Sequence, residues 1–373
     1  MHQDEHLQSN TQPSTPVDRR IWENQVRLWP CVSDYGIFDE IAYQIMTDDD
    51  FRKEQYLRAI HRFVKDKVAV DIGTGPDLVL ARMCIEAGAK RVHAIEVGVD
   101  AYQKAKNRVD ALGLADRIML HLGDARQIQL PEQVDVSVSE VIGMIGSSEG
   151  VVTILNGGRR FLKPDGVVIP YRCVTKVAAA ALPAPFADHP HFCAQAQADA
   201  ADIFRQVGHP VDLRVWIEHF PVSHLLSDAG IFEDLNFQDY LPEEWRQEVV
   251  LEVTQSGRMD GLLLWIELNP GKGLVINSLT DVSSWWPLFL PVLDQPTMLN
   301  PGDRIAFVNH TRLSEDNFRP EYLIDGKIIK GNGEVIAFAY ESTLYKRRFR
   351  QNRFYQQLFD AKSWSVPPDQ LLP

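Results

Sequence analysis

The sequence predicts an α/β half built on a doubly wound parallel sheet, followed by an antiparallel β half. Three observations predict it. Short β-branched runs alternate with helical-period runs from about 65 to 170. A glycine turn, VDIGTGP (70–76), joins the first of these strands to the first of these helices. From about 211 onward, apolar–polar alternation bounded by turn residues replaces the helical period.

The elements follow in order. The first twenty residues, MHQDEHLQSNTQPSTPVDRR, are polar, lack the apolar core of a secretory signal and read as a disordered tail. Over 21–64, Ile41, Ile45, Tyr56, Ile60 and Phe63 recur at helical spacing. They predict two helices with a break at TDDD (47–50), where Thr47 or an aspartate can cap the second. KVAVDIG (67–73) is a strand, and DLVLARMCIEAGA (77–89) a helix stopped by Gly88. RVHAIE (91–96) is a strand, DAYQKAKNRVDALG (100–113) a helix, and RIMLHLG (117–123) and VDVSVSE (134–140) are strands. VVTILNGGRRFL (151–162) is expected to be a helix broken near its two glycines, and GVVIP (166–170) closes the α/β half. Within 171–350, an alanine-rich helical excursion spans about 184–210. The strands LRVWIEHF, EVVLEVTQ, GLLLWIEL, RIAFVNHT, EYLIDGKIIK and EVIAFAY follow, with turn signals that include DG (325–326) and GNG (331–333). Residues 351–373 read as a C-terminal tail.

Composition narrows the function classes. No run approaches the eighteen apolar residues of a membrane span. The net charge of −13 argues against a general nucleic-acid binder and suits a cationic partner. Cys31, Cys84, Cys173 and Cys193 have neither metal spacing nor a paired framework, as expected of reduced thiols in a cytoplasmic protein without a metal. The basic run YKRRFRQNR (345–353) reads as a solvated strand end, and His310 as a strand histidine. Tyr35 and Tyr43, near the first helix, are either pocket lids or packing residues.

Chemistry concentrates at the strand ends of the first half. Gly73 and Gly75 let the backbone approach a ligand and take angles a Cβ forbids. Leu78 stands where G-x-G-x-x-G needs its last glycine, so the pyrophosphate-cradling pattern fails and a nicotinamide enzyme is disfavoured. D-x-G-x-G, with Asp71 at the strand end, fits instead. Glu96 ends the next strand, where an acid can bind both hydroxyls of a ribose. GDAR (123–126) can bring Asp124 to an adenine amino group. Glu140 ends the fourth strand, and Glu149 follows across VIGMIGSS, with Gly143, Gly146 and Ser147 as hinges. Two carboxylates can grip a planar cation. The plain alternatives are acids that merely finish strands or sit solvated in a loop.

With these residues in place, the sequence resembles the protein arginine methyltransferase family from about Tyr35 to about Tyr345. The resemblance implies a Rossmann-like class I methyltransferase domain, a β-barrel with a helical dimerisation arm at about 184–210, S-adenosyl-L-methionine as cofactor and a homodimer. MTDDDFRKEQYLRAI (46–60) matches the N-terminal helices, so Arg52 would hold the cofactor's carboxylate. VDIGTGPDLVLARMCIEAGAKRVHAIE (70–96) matches the cofactor region, with Glu96 on the ribose. LPEQVDVSVSEVIGMIGSSEG (130–150) matches the double-glutamate loop, making Glu140 and Glu149 the acceptor-binding pair.

Three departures stand out. Asp77 replaces the third motif glycine. Arg126 replaces an adenine-facing acid, so Asp124 or the Ala125 backbone must do more. SSWWP (283–287) replaces Thr-His-Trp, so Ser284, or Trp285 in a shifted register, stands where the family has histidine, and Asp49 lacks its cationic partner. Tyr43, Asp49, Ser284, Trp285 and Trp286 would shape the acceptor pocket. The expected acceptor is a small guanidino or indole-type compound. The alternatives are an arginine-containing peptide or a catalytically silent, cofactor-binding scaffold.

Overall fold

The computed structural model describes residues 26–35, 45–183, 186–344 and 351–359. In chain order the elements are β1 (Arg27–Pro30), α1 (Asp50–Phe63), β2 (Val68–Ile72), α2 (Val79–Glu86), β3 (Arg91–Glu96), α3 (Val99–Ala111), β4 (Ile118–Leu122), β5 (Val134–Ser139), α4 (Val151–Gly158), β6 (Leu162–Ile169), β7 (Arg172–Ala180), α5 (Ala194–Val207), β8 (Val215–Glu218), β9 (Gly230–Asn236), β10 (Trp245–Glu252), β11 (Gly257–Met259), β12 (Gly261–Asn269), β13 (Ile276–Asn277), β14 (Leu288–Leu290), β15 (Thr297–Leu299), β16 (Arg304–Leu313), β17 (Pro320–Ile329), β18 (Val335–Ser342) and α6 (Arg353–Leu358).

The first half is a five-stranded parallel sheet ordered β4-β3-β2-β5-β6. Every residue of the central strand β2 is buried, as its unbroken apolar run requires of a strand covered on both faces. The chain winds outward from β2 through β3 and β4, then returns to β5 and β6 on the other side. That reversal opens a crevice at the carboxyl ends of β2, β3 and β5, where ligands bind in such sheets.

The second half is a β-barrel of antiparallel strands. One sheet runs β1-β8-β14-β12-β7-β9 with β13 beside β12, a second runs β10-β16-β17-β18, and β11 pairs with β15. The bridges Ala180–Leu225 and Ser227–Val253 stitch them together. One apolar core passes from beneath the parallel sheet into the barrel. Among the described residues, no helix is long and apolar enough to cross a membrane.

β1 and β17 differ from expectation, each for a packing reason. Residues 27–30, expected within a helical segment, form β1, which pairs antiparallel with β8. Asp325 and Gly326, expected to turn, lie inside β17. A Cβ on Gly326 would meet Phe307 Cβ at 2.5 Å and Phe338 Cζ at 2.6 Å, so the glycine admits two aromatics rather than a bend. As expected, the helix over 151–162 breaks at its two glycines: α4 ends at Gly158 and a 3-10 turn, Arg159–Phe161, follows. A Cβ at Gly157 would meet Arg126 Cα at 2.9 Å, and one at Gly158 would meet Ile72 Cδ1 at 2.8 Å, so they allow the helix to press on the sheet. α5 lies in the stretch expected to be helical, and its apolar stripe of Ala196, Ala200, Ile203 and Phe204 is buried in its own chain with Leu28, Phe354 and Phe359.

Candidate active site

The glycine turn after β2 is built as its spacing demands. Gly73 and Gly75 have φ of 77° and 66°, angles costly to any residue with a Cβ. The amides of Gly73 and Thr74 both donate to Ile95 O at 3.0 Å, which ties the turn to β3. Glu96, at the end of β3, accepts from Gly75 N–H at 2.9 Å and from Gly98 N–H at 2.7 Å. One carboxylate therefore sets the shape of the turn and of the start of α3. Leu78 takes a left-handed φ of 50° before α2 without being glycine.

Asp71 is buried beneath the turn. Its Oδ2 accepts from Thr74 Oγ1 at 2.6 Å and Ala81 N–H at 3.0 Å, while its Oδ1 has no hydrogen-bond partner. Burial pushes its pKa from 3.8 up to about 7, against the pull of those two bonds.

A cavity of about 500 Å³ opens over these groups. Asp71, Gly73, Gly75 and Glu96 line one side, and Arg52, Glu140, Glu149, Ser284 and Trp285 lie on the same cavity. Arg52 Nη1 pairs with Glu140 Oε2 at 2.9 Å, with their side chains only 10% and 17% exposed. The Arg52 guanidinium also lies 5.2 Å from the Trp285 ring centroid and donates to Met46 O. Burial raises the Glu140 pKa, and the Arg52 charge opposes that rise.

Asp49 has found partners without a histidine. Its Oδ1 caps α1 by accepting from Arg52 N–H at 2.8 Å, and its Oδ2 accepts from Ser284 N–H at 2.5 Å. Trp285 Nε1 donates to Ile142 O at 2.7 Å, which fixes the indole against the double-glutamate loop.

Other expected residues lie elsewhere. Asp124 does not reach the cavity: Arg126 takes both its oxygens, through Nε at 2.9–3.0 Å and Nη2 at 2.6 Å. The Arg126 hydrogen bonds hold the Asp124 carboxyl below its ordinary range. Ala125 is buried but does not line the cavity either. Trp286 does not line the cavity itself; it packs edge-on against Trp216, which does, at 5.1 Å and tilted against Trp29 at 6.0 Å. Tyr43 lies outside the described residues. Tyr35 is a buried packing residue whose hydroxyl meets Asp212 O. His310 is exposed on the outer face of β16.

Sequence reading missed Trp216 and Met144, which line the cavity. It also missed the buried Glu233 beneath the loop. Strand alternation could have assigned Trp216 to a face, but no local pattern says which cavity that face meets.

Residues 54–177 match the family model described as a methyltransferase domain. The matched stretch contains the glycine turn and both glutamates of the loop. The chain is 37% identical over 153 residues to protein arginine N-methyltransferase 1 of Schizosaccharomyces pombe, covering 39% of this chain and 43% of that one. It is 36% identical over 141 residues to the histone-arginine methyltransferase CARMER of Anopheles gambiae, covering 37% of this chain and 22% of the relative. It is 29% identical over 282 residues to the arginine N(omega)-methyltransferase of Streptomyces achromogenes subsp. streptozoticus, covering 70% and 73%. The chain thus spans less than half the length of the first two relatives and nearly three quarters of the third. Among solved structures, protein arginine methyltransferase 10 of Arabidopsis thaliana superposes with a TM-score of 0.66 at 18% identity, covering 83% of this chain and 99% of that one. The PRMT1 enzyme–prozyme complex of Trypanosoma brucei superposes with a TM-score of 0.65 at 18% identity, covering 83% and 98%. That likeness carries the fold: a Rossmann-like α/β domain joined to a β-barrel.

Proposed function

We propose that the chain methylates a guanidine nitrogen of a small, arginine-like acceptor, using S-adenosylmethionine. The observation that carries the reading is that Glu140 and Glu149 open onto the same cavity as the D-x-G-x-G turn. The cavity's chemistry fits the cofactor. Among its lining, Glu96 offers a carboxylate for a ribose diol, Arg52 a cation for a carboxylate, and Leu80, Val97 and Ile142 apolar wall. When bound, the cofactor supplies a sulfonium-activated methyl group.

The chain's own residues then align and polarise the acceptor. A guanidinium is a poor nucleophile while its charge is shared among three nitrogens. Carboxylates that accept from two of them leave the third richer in electrons and aimed at the methyl. Held by Glu96 and Arg52, the cofactor would supply the methyl to that nitrogen and keep the carbon–sulfur electron pair on sulfur. The methylated nitrogen then sheds a proton, and burial of Glu140 raises that carboxylate's affinity for one.

Two features support a small acceptor over a peptide. Residues 26–35 fold beside β8, so that Val32, Trp216 and Trp285 wall the barrel side of the cavity. The relative covered over the greater part of both chains is named for arginine rather than protein arginine.

The test is mass spectrometry with labelled cofactor, offering free arginine, agmatine, an arginine-rich peptide and a panel of indoles. Label on the small guanidines is expected, with turnover falling at least about a hundredfold in Glu140→Gln and Glu149→Gln. Label on the peptide alone would overturn the acceptor class, and label on an indole alone would overturn the guanidine clamp.

A further inference from the structure

The double-glutamate loop rests on a buried polar network that the reading above does not use. Ser147 lies two residues before Glu149 and donates twice to Glu233 on β9: from its amide to Oε1 at 2.9 Å, and from its hydroxyl to Oε2 at 2.6 Å. Thr175 on β7 donates to Glu233 Oε1 at 2.8 Å and accepts from Gly146 N–H at 3.0 Å. The Tyr322 hydroxyl on β17 lies 2.7 Å from Ser147 Oγ. Since that oxygen already donates to Glu233, Tyr322 is the donor of this bond. Ser147, Thr175, Glu233 and Tyr322 are each no more than 1% exposed. The loop backbone is equally confined, because a Cβ on Gly146 would meet Cys173 Sγ at 2.7 Å and Glu233 Oε1 at 3.1 Å.

A carboxylate buried this far is expensive and is retained only where its acceptors are filled. All the donors to Glu233 come from the loop or from the strand that braces it. The Arg214 guanidinium, 5.0 Å from the Tyr322 ring centroid, supplies favourable charge from behind and is itself paired with Asp34 at 3.2 Å.

We propose that Glu233 is a positioning residue: by holding the amide and hydroxyl of Ser147 it fixes Glu149 at the angle acceptor binding requires. The inference rests on the reading of Glu149 as an acceptor-binding carboxylate. Gln is the conservative replacement. Its Oε1 can keep both bonds and its Nε2 can donate to Ser147 Oγ, which turns its own proton toward Tyr322. Leu at Glu233 preserves bulk and strands the donors.

The experiment compares Glu233→Leu, Glu233→Gln and Ser147→Ala in the full chain. It measures cofactor Kd, kcat and KM on the acceptor that the wild type labels, and hydrogen exchange at residues 146–150. Expected for Glu233→Leu and Ser147→Ala are a tenfold or greater loss in kcat/KM, a cofactor Kd within twofold of wild type, and faster exchange confined to the loop. Glu233→Gln should recover at least a third of the wild-type kcat/KM. Unchanged kcat/KM and exchange in Ser147→Ala would overturn the proposal even if Glu233→Leu fails to fold. So would a parallel loss of cofactor binding in all three variants. Should the wild type label no guanidine at all, the proposed function fails on that result, and slow loop exchange unaffected by Ser147→Ala would separately overturn the anchoring.

Discussion

Asp71 gives the sharpest test of the energetics beneath the glycine turn. Its carboxyl is buried with one oxygen unpartnered, and its pKa rises from an ordinary 3.8 to about 7. The folded protein therefore holds this proton over a window in which the unfolded chain has lost it. Stability from the group is fully present below about pH 4, falls as pH rises, and is gone above about pH 7. At ~1.4 kcal/mol per pH unit the whole swing is about 4 kcal/mol, taken as an upper bound. Asp71→Asn removes the titration while keeping an oxygen for Thr74 and Ala81. Its stranded amide adds a penalty, but one that does not change with pH. The difference in stability between variant and wild type should therefore move toward the variant between pH 4.5 and pH 8, by about 2–4 kcal/mol. Urea denaturation at four pH values, without cofactor, measures it. A difference that stays constant with pH would refute the reasoning, because the carboxyl would then be charged in the fold throughout.

Other substitutions test the joints around the cavity. Asp49→Ala removes the α1 cap and strands the Ser284 amide, so urea midpoints should report a loss of about 2 kcal/mol. Gly150 has a φ of 85°, and a Cβ there would meet Phe318 Cε2 at 2.7 Å. Gly150→Ala should therefore cost about 2 kcal/mol or more by thermal unfolding, and should lower turnover because Glu149 is the neighbouring residue. Trp216→Ala opens the barrel wall of the cavity. In competition assays it should shift the ratio of peptide to free-arginine labelling toward the peptide by about tenfold. An unchanged ratio would mean that the wall does not select the acceptor.

Local pattern made the sheet-forming half readable. β2, β3 and β5 announce themselves by β-branched runs, and the glycine turn sits where a strand meets a helix. Errors arose wherever a residue's reason lies across the fold. Gly326 looks like a turn in sequence but is a gap left for Phe307 and Phe338. β1 is only four residues long, and its pairing with β8 is set nearly two hundred residues away. At the site, the carboxylates at strand ends were legible because their spacing is local. The capture of Asp124 by Arg126, two residues on, was not read from the sequence, although both residues stand in the same short stretch. Glu233 gave no signal, since an inward-facing acid on a strand has the same letters as an outward-facing one.

Several contacts between the two halves use a backbone group on one side. Asp49 takes the Ser284 amide, the Trp285 indole takes the Ile142 carbonyl, and Thr175 and Glu233 take the amides of Gly146 and Ser147. None of these contacts contains an imidazole, so none breaks by titration of a histidine near neutrality. The small residues of the loop serve the same end. A Cβ on Gly143 would lie 2.0 Å from Ser148 Oγ, so this glycine is a fitting surface and the expected hinge is a clamped turn. A loop held from both faces cannot reshape itself around different acceptors. On the proposed function, discrimination among guanidines would come from the fixed walls, which makes Trp216 and Trp285 the residues through which acceptor choice would be altered.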